Sequence, residues 1–148
     1  MTGRAVLLLI VAIGLPGCLH AAQSAHVEAS HAWIRLLPAD LPAGGYVNLK
    51  NDSPSAVVLV SAHSDTYASV MLHQSSMGPG GQSSMAMIDR LAIPPQGGID
   101  LAPAGYHLML QRARHPLKPG DTVDITLDFA DGSHLPVQFL VRPANTVE

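Results

Sequence analysis

The stretch TVDITLDFADGSHLPVQFLV, Thr122 to Val141, decides the fold. Its halves, Thr122 to Phe129 and Leu135 to Val141, read as strands. Asp131-Gly132 between them is a hairpin signal, because a tight hairpin turn needs backbone angles that Gly and Asp reach at low cost. Working outward, Lys118-Pro119-Gly120-Asp121 is a turn, and further strands are expected at Tyr106 to Gln111, Gly98 to Leu101, Ser84 to Leu91 and Ala68 to Gln74. Ala56 to Ala62 is apolar and largely β-branched, as a buried strand is. Gly45 to Asn51 and Val27 to Leu36 (around Trp33) complete the set, separated by the turn Asn51-Asp52-Ser53-Pro54 and the loop Pro38 to Gly45. No stretch beyond the N-terminal segment sustains a 3.6-residue period. Many short strands between Gly, Pro, Asn and Asp turns predict an all-β Greek-key sandwich or barrel.

With 148 residues the chain is long enough for one domain with a real core and too short for two of ordinary size. Charged residues make up 13% and the formal net charge is -3, with no basic run, so the footprint of a nucleic-acid binder is missing. The N-terminus reads as an export signal. Arg4 supplies the positive region, and Ala5 to Leu15 is apolar but too short to span a bilayer. Two processing routes are open. Leu15-Pro16-Gly17-Cys18 resembles a bacterial lipobox, in which Cys18 is lipidated and gives the chain a membrane anchor. Ordinary signal peptidase would instead cut among Ala21, Ala22, Ser24 and Ala25. The reading is a signal segment over 1–25 and one β-sandwich domain over 26–148, located in the periplasm or otherwise outside the cytoplasm. Cys18 is the only cysteine, so neither an intramolecular disulfide nor a Cys-rich metal site can form.

The chemistry sits in a spaced set of soft donors. Five of the six methionines (Met71, Met77, Met85, Met87 and Met109) fall in one stretch with His73 and His107. Thioether sulfur is a soft neutral donor that prefers Cu(I), and imidazole suits copper. Side chains two apart on a strand share a face. Met71 and His73, Met85 and Met87, and His107 and Met109 are therefore same-face pairs, while Leu72, Ile88, Leu108 and Leu110 point into the core. Taken singly, each Met is more often a filler of irregular gaps and each His a surface or hydrogen-bonded ring; matched parity on three strands is what favours a site. His26, His31, His63, His115 and His134 have no partner at a useful spacing and read as surface rings, with His26 and His31 able to recruit Cu(II) weakly.

Three other functions compete with a copper carrier. A blue-copper electron carrier needs a thiolate beside the His and Met ligands, and Cys18 lies in or beside the signal segment. A hydrolase has neither a Gly-x-Ser-x-Gly elbow nor a His-Glu-x-x-His helix to build on. An exported structural or adhesive sandwich, its methionines all packing, is the alternative to a metal carrier.

The spacing narrows this further. His73 and Gln74 are followed by ten residues, then Met85, then twenty-one residues, then His107-Leu108-Met109. This resembles the signature of the periplasmic copper chaperones called PCu(A)C. Ala32-Trp33-Ile34-Arg35, Gly45-Tyr46 followed by Asn51, Gly105 to Leu110, and Pro116 to Asp121 resemble further segments of that family, so the similarity spans roughly residues 26 to 142. The resemblance implies a cupredoxin-like sandwich that is not an enzyme and holds one Cu(I) through His73, Met85, His107 and Met109. It also implies delivery to a copper-accepting protein, a cytochrome c oxidase subunit or another carrier. Met87 is the less favoured substitute for Met85, and Met77 adjoins the loop Gly78-Pro79-Gly80-Gly81. Gln74 stands where some members carry another Met. The His- and Met-rich C-terminal tail of some members has no counterpart after Arg142, so a second, Cu(II)-type site is not expected.

Overall fold

A computed structural model describes residues 21–147; residues 1–20 of the proposed signal segment, Cys18 among them, lie outside the described residues. A short 3-10 turn at Gln23–His26 leads into ten strands: β1 Val27–Arg35, β2 Ala43–Asn51, β3 Val57–His63, β4 Tyr67–Met77, β5 Ser83–Met87, β6 Leu91–Ile93, β7 Gly98–Leu101, β8 Tyr106–Ala113, β9 Thr122–Phe129 and β10 His134–Arg142. They form one continuous sheet in the order β5-β4-β8-β7-β2-β1-β10-β9-β3-β6. Non-sequential neighbours such as β4 with β8 and β3 with β9 mark the crossovers, and β1 joins the two halves by pairing antiparallel with β2 and parallel with β10. The halves close on a shared core, giving the expected all-β, cupredoxin-like sandwich.

Alternation does the work of folding. In β9, Val123, Ile125, Leu127 and Phe129 are at most 2% exposed, whereas Asp124, Asp128 and their neighbours on the other face are not. Phe139 and Val141 of the neighbouring β10 are buried beside them, and the two strands pair in register from His134↔Asp128 to Leu140↔Thr122 about the turn where Gly132 takes φ +81. Every strand except β5 contributes to the buried cluster. One expectation fails in detail. Ser84 to Leu91 is two strands, not one, because the chain leaves the edge beside β4, bends at Asp89 and crosses to pair with β3. A single extended strand cannot serve both edges of the sheet.

Gly98 opens β7 opposite Lys50. A Cβ there would sit 2.8 Å from the carbonyl oxygen of Leu49, a backbone atom that cannot swing aside. Gly98→Ala is therefore expected to destabilise the domain by about 1–3 kcal/mol, as overpacking against a fixed group does, read as a lower thermal midpoint with unchanged secondary structure.

Candidate metal site

The soft donors gather where β5, β4 and β8 run side by side. The register sets His73 of β4 directly opposite His107 of β8, and Met71 directly opposite Met109. On its other side His73 faces Met87 of β5, while Met85 faces Ser75. Leu72, Leu108 and Leu110, which alternate with the donors, are at most 5% exposed in the core. The donors thus occupy the opposite face, as strand parity predicted.

The two imidazoles lie close together on that face. Their ring centroids are 5.8 Å apart and the planes are tilted by 60°. His107 is 7% exposed, and its Nδ1 lies 3.0 Å from the carbonyl oxygen of Gly105. A carbonyl only accepts, so Nδ1 carries the hydrogen and Nε2 keeps its lone pair. Orienting a ring through its other nitrogen is how proteins prepare metal-binding histidines. His73 Nδ1 is buried and has no hydrogen-bond partner. Burial first, and the neighbouring His107 second, hold the His73 pKa below the ordinary imidazole value. Both effects favour the neutral ring, the form that ligates.

The thioethers divide into two groups. Met109 is half-buried, and its sulfur accepts a long contact of 3.5 Å from Gln111 Nε2. Met71 is also half-buried. Met85 and Met87 are 53% and 63% exposed on a strand whose five residues are all exposed, and Met77 is 71% exposed beside the turn in which Gly80 and Gly81 take positive φ. The structure therefore brings His73, His107 and Met109 together and leaves Met85 one cross-strand row beyond His73. Sequence reading did not single out Gln111; its position two residues after Met109, on the same face, was the available signal.

The remaining histidines are not all solitary. His63 Nδ1 and His134 Nδ1 lie 3.0 and 2.7 Å from the two oxygens of Asp128, to which Ser61 also donates at 2.8 Å. Partial burial raises the Asp128 pKa, but the three hydrogen bonds outweigh it and hold the carboxyl below its usual value. The sequence could not show the whole cluster: His134 meets Asp128 across the expected β9–β10 hairpin, but His63 joins them only because β3 pairs with β9. Even so, no three His, Cys, Asp or Glu side chains among the described residues are placed to hold a metal. A cleft of about 550 Å³ beside Trp33, Tyr46 and Arg142 contains none of the His/Met donors. The candidate site is the open face of β4 and β8, with two imidazoles and neutral thioethers, a donor set that fits Cu(I) and offers little to a hard cation.

Known proteins resemble this chain in sequence and in fold. The family model described as "Putative lipoprotein LpqE-like" matches residues 27–141. "Putative lipoprotein Lxx21020" of Leifsonia xyli subsp. xyli (strain CTCB07) is 30% identical over 94% of this chain and 89% of its own. Among solved structures, the solution structure of CuI-DR1885 from Deinococcus radiodurans is 35% identical, with a TM-score of 0.61 over 75% of this chain and 74% of that one. The copper-bound PCuAC domain from PmoF2 shares the fold at 21% identity, with a TM-score of 0.67 over 84% of this chain and 99% of that domain. The chain belongs to the LpqE-like lipoprotein family, and its sandwich is the fold of PCuAC domains.

Proposed function

We propose that this protein is an extracytoplasmic copper chaperone. It holds one Cu(I) as cargo through His73, His107 and Met109, with Met85 of the edge strand as the fourth donor, and passes the ion to a copper-accepting protein. The observation that carries the reading is the facing pair His73 and His107, one ring oriented by a carbonyl and the other with a buried, unpartnered nitrogen, beside a methionine on the same open face. The copper named in the two similar structures supports it. Neutral donors leave Cu(I) with its charge and hold it reversibly, so a thiolate-bearing acceptor captures it by stepwise ligand exchange. Assembly of the copper site of cytochrome c oxidase is the proposed destination, and the protein is a carrier with no reaction of its own.

Lipid anchoring through Cys18 is part of the proposal. The family and the Leifsonia relative are both described as lipoproteins. Gln23 and Ser24 donate backbone hydrogen bonds to Asp131 and Ser133 of the β9–β10 turn. Cleavage before Cys18 keeps these contacts, whereas cleavage after Ala25 discards them.

An anaerobic Cu(I) titration of the domain against a chromophoric chelator tests the function. One tight equivalent is expected; binding no tighter than that of free methionine and imidazole would return the chain to an exported structural sandwich. Protons compete with copper for His73. Because its pKa is lowered in the fold, affinity is expected to hold from pH 8 to about 6.5 and to fall only below that, by roughly tenfold per pH unit through this ring once it titrates. The apo-fold follows the same sign. The unfolded imidazole takes up its proton first, near pH 6.5, so apo stability falls as pH drops below that value. A Cu(I) affinity flat down to pH 5 would contradict the assignment of His73.

A further inference from the structure

The donor face does not end at β8. Met109 is directly opposite Gly44 of β2, Gly44 is opposite Arg35 of β1, and Arg35 is opposite Arg142 of β10. One row therefore crosses the sheet from a copper donor to two arginines. A Cβ on Gly45 would meet Leu108 in the core, which leaves Gly44 and its row to the outer face. Trp33 and Tyr46, also directly opposite each other, hold the adjoining row. They are 5% and 7% exposed, yet they lie outside the main core cluster. They are covered by each other, with ring centroids 4.6 Å apart, and by the arginines. The guanidinium carbon of Arg35 is 5.5 Å from both ring centroids, and that of Arg142 is 5.2 Å from the Trp33 ring. The Tyr46 hydroxyl reaches back over Gly44, where a Cβ would lie 2.5 Å from it. The aromatic pair thus abuts the position of Met109.

Among the described residues no carboxylate neutralises these two cations. Like charges facing each other on neighbouring strands are destabilising, and a nearby acid would relieve them. Every ion pair among the described residues instead joins a histidine to an aspartate. Arg35 Nε is buried with no hydrogen-bond partner. The adjoining cleft of about 550 Å³ has one carboxylate in its lining, Asp100, which pairs with neither arginine. A guanidinium stacked on an aromatic ring is held in place with its N–H edge free, and that edge grips a carboxylate at two points. Leu140, 40% exposed and opposite Trp33, extends the surface. Trp, Tyr and Arg are the residue types that most often carry binding energy at protein interfaces. We infer that Arg35 and Arg142 dock a carboxylate-bearing face of the copper-accepting protein, so that its ligands arrive over the β4–β8 donors. At about 4.8 Å per strand, the Arg35 and Arg142 backbones stand about 10 and 14 Å from that of Met109. An ordinary interface covers about 800 Å² of each partner, enough to span the donors and both arginines. The net charge of the chain is -3, so this local cationic spot orients an acidic partner without drawing it in by bulk charge. The inference rests on the copper-carrier reading and names the chemistry of the partner.

Trp33 is the only tryptophan, so its fluorescence reports on this spot. The metal-free protein is titrated with a glutamate-rich peptide that lacks sulfur and histidine, with its glutamine counterpart, and with glutarate. The titrations are repeated on R142Q and on K50Q, a charge control at the far end of β2. Saturable binding of the glutamate peptide is expected, at least tenfold tighter than the glutamine peptide and weakened by salt. R142Q is expected to bind it about tenfold more weakly, and K50Q as the parent does. For transfer, both peptides are given a cysteine pair and take Cu(I) from the loaded protein in a stopped-flow cell. The glutamate form is expected to receive copper about tenfold faster than the glutamine form from the parent, and no faster from R142Q, whose Cu(I) affinity stays at the parent's value. The glutamate–glutamine comparison uses the unaltered protein, so it stands even if R142Q is unstable. Equal binding of the two peptides, equal losses in R142Q and K50Q, or a transfer advantage that survives in R142Q would overturn the proposal. Glutarate bound as tightly as the peptide would overturn it in favour of a free-anion site. The copper-carrier reading fails separately, through absence of tight Cu(I) binding, and the metal-free titration reads the arginines in either case.

Discussion

Replacing His107 with Ala is expected to lower Cu(I) affinity by at least 100-fold while leaving the domain folded. The side chain is 93% buried by its exposure of 7%, yet its only polar contact is the bond from Nδ1 to the Gly105 carbonyl, two residues away. Losing that local bond costs the fold about 1 kcal/mol, with a further cost for the space left behind. Copper binding loses a donor whose free nitrogen is held in place beforehand. Disturbing the partners that merely orient a metal ligand costs about 10–100-fold, and removing the ligand itself exceeds that. His134→Ala is the control. It deletes an imidazole that sits on Asp128, away from the donor face, and should leave Cu(I) affinity unchanged. Equal losses in the two variants would show that histidine content, and not the β4–β8 pairing, governs binding.

The largest effect on folding is expected at Asn51, which no apolar pattern marks. It is fully buried. Its amide nitrogen donates to the carbonyls of Ser55, Pro94 and Ile93 at 2.8, 3.1 and 3.3 Å, two hydrogens shared among three acceptors. Its side-chain oxygen accepts from the Ser53 backbone N–H at 2.9 Å. One side chain thereby ties the end of β2, the following turn and the end of β6. Asn51→Ala leaves those groups buried and unpaired, at about 1–3 kcal/mol for each one that water cannot reach, so a total near 3 kcal/mol and a thermal midpoint lower by roughly 10 °C are expected. Asn51→Asp keeps the shape but turns a carboxylate oxygen toward three carbonyl oxygens. It should be worse than Ala at pH 7 and recover as the pH falls, because a carboxyl whose pKa is raised in the fold regains its proton and donates again. A pH-independent penalty for Asn51→Asp would show that the amide donors are not what holds this corner.

These two residues also show what was legible in the sequence. His107 stood out because His-Leu-Met places two soft donors on one face of a strand and an apolar residue on the other, an alternation that local backbone geometry imposes. The core strands were legible for the same reason: Thr122 to Phe129 and Gly98 to Leu101 fall where the alternation and the turn residues put them. Asn51 was visible only as the end of a strand, the start of a turn and one residue of the family resemblance. Its importance comes from carbonyls more than forty positions away at Ile93 and Pro94. The cluster of His63, His134 and Asp128 was hidden in part: Asp128 and His134 face each other across the hairpin, but His63 joins them only when β3 and β9 pair.

The sequence by itself determined the all-β class, the face on which each donor lies and the softness of the donor set, because these follow from a period of two and from the chemistry of imidazole and thioether. Only the tertiary structure decided which donors share a row. Register is a property of two strands and not of one, and the β4–β8 pairing set Met71 against Met109 and His73 against His107, while the β4–β5 hairpin carried Met85 to an exposed edge.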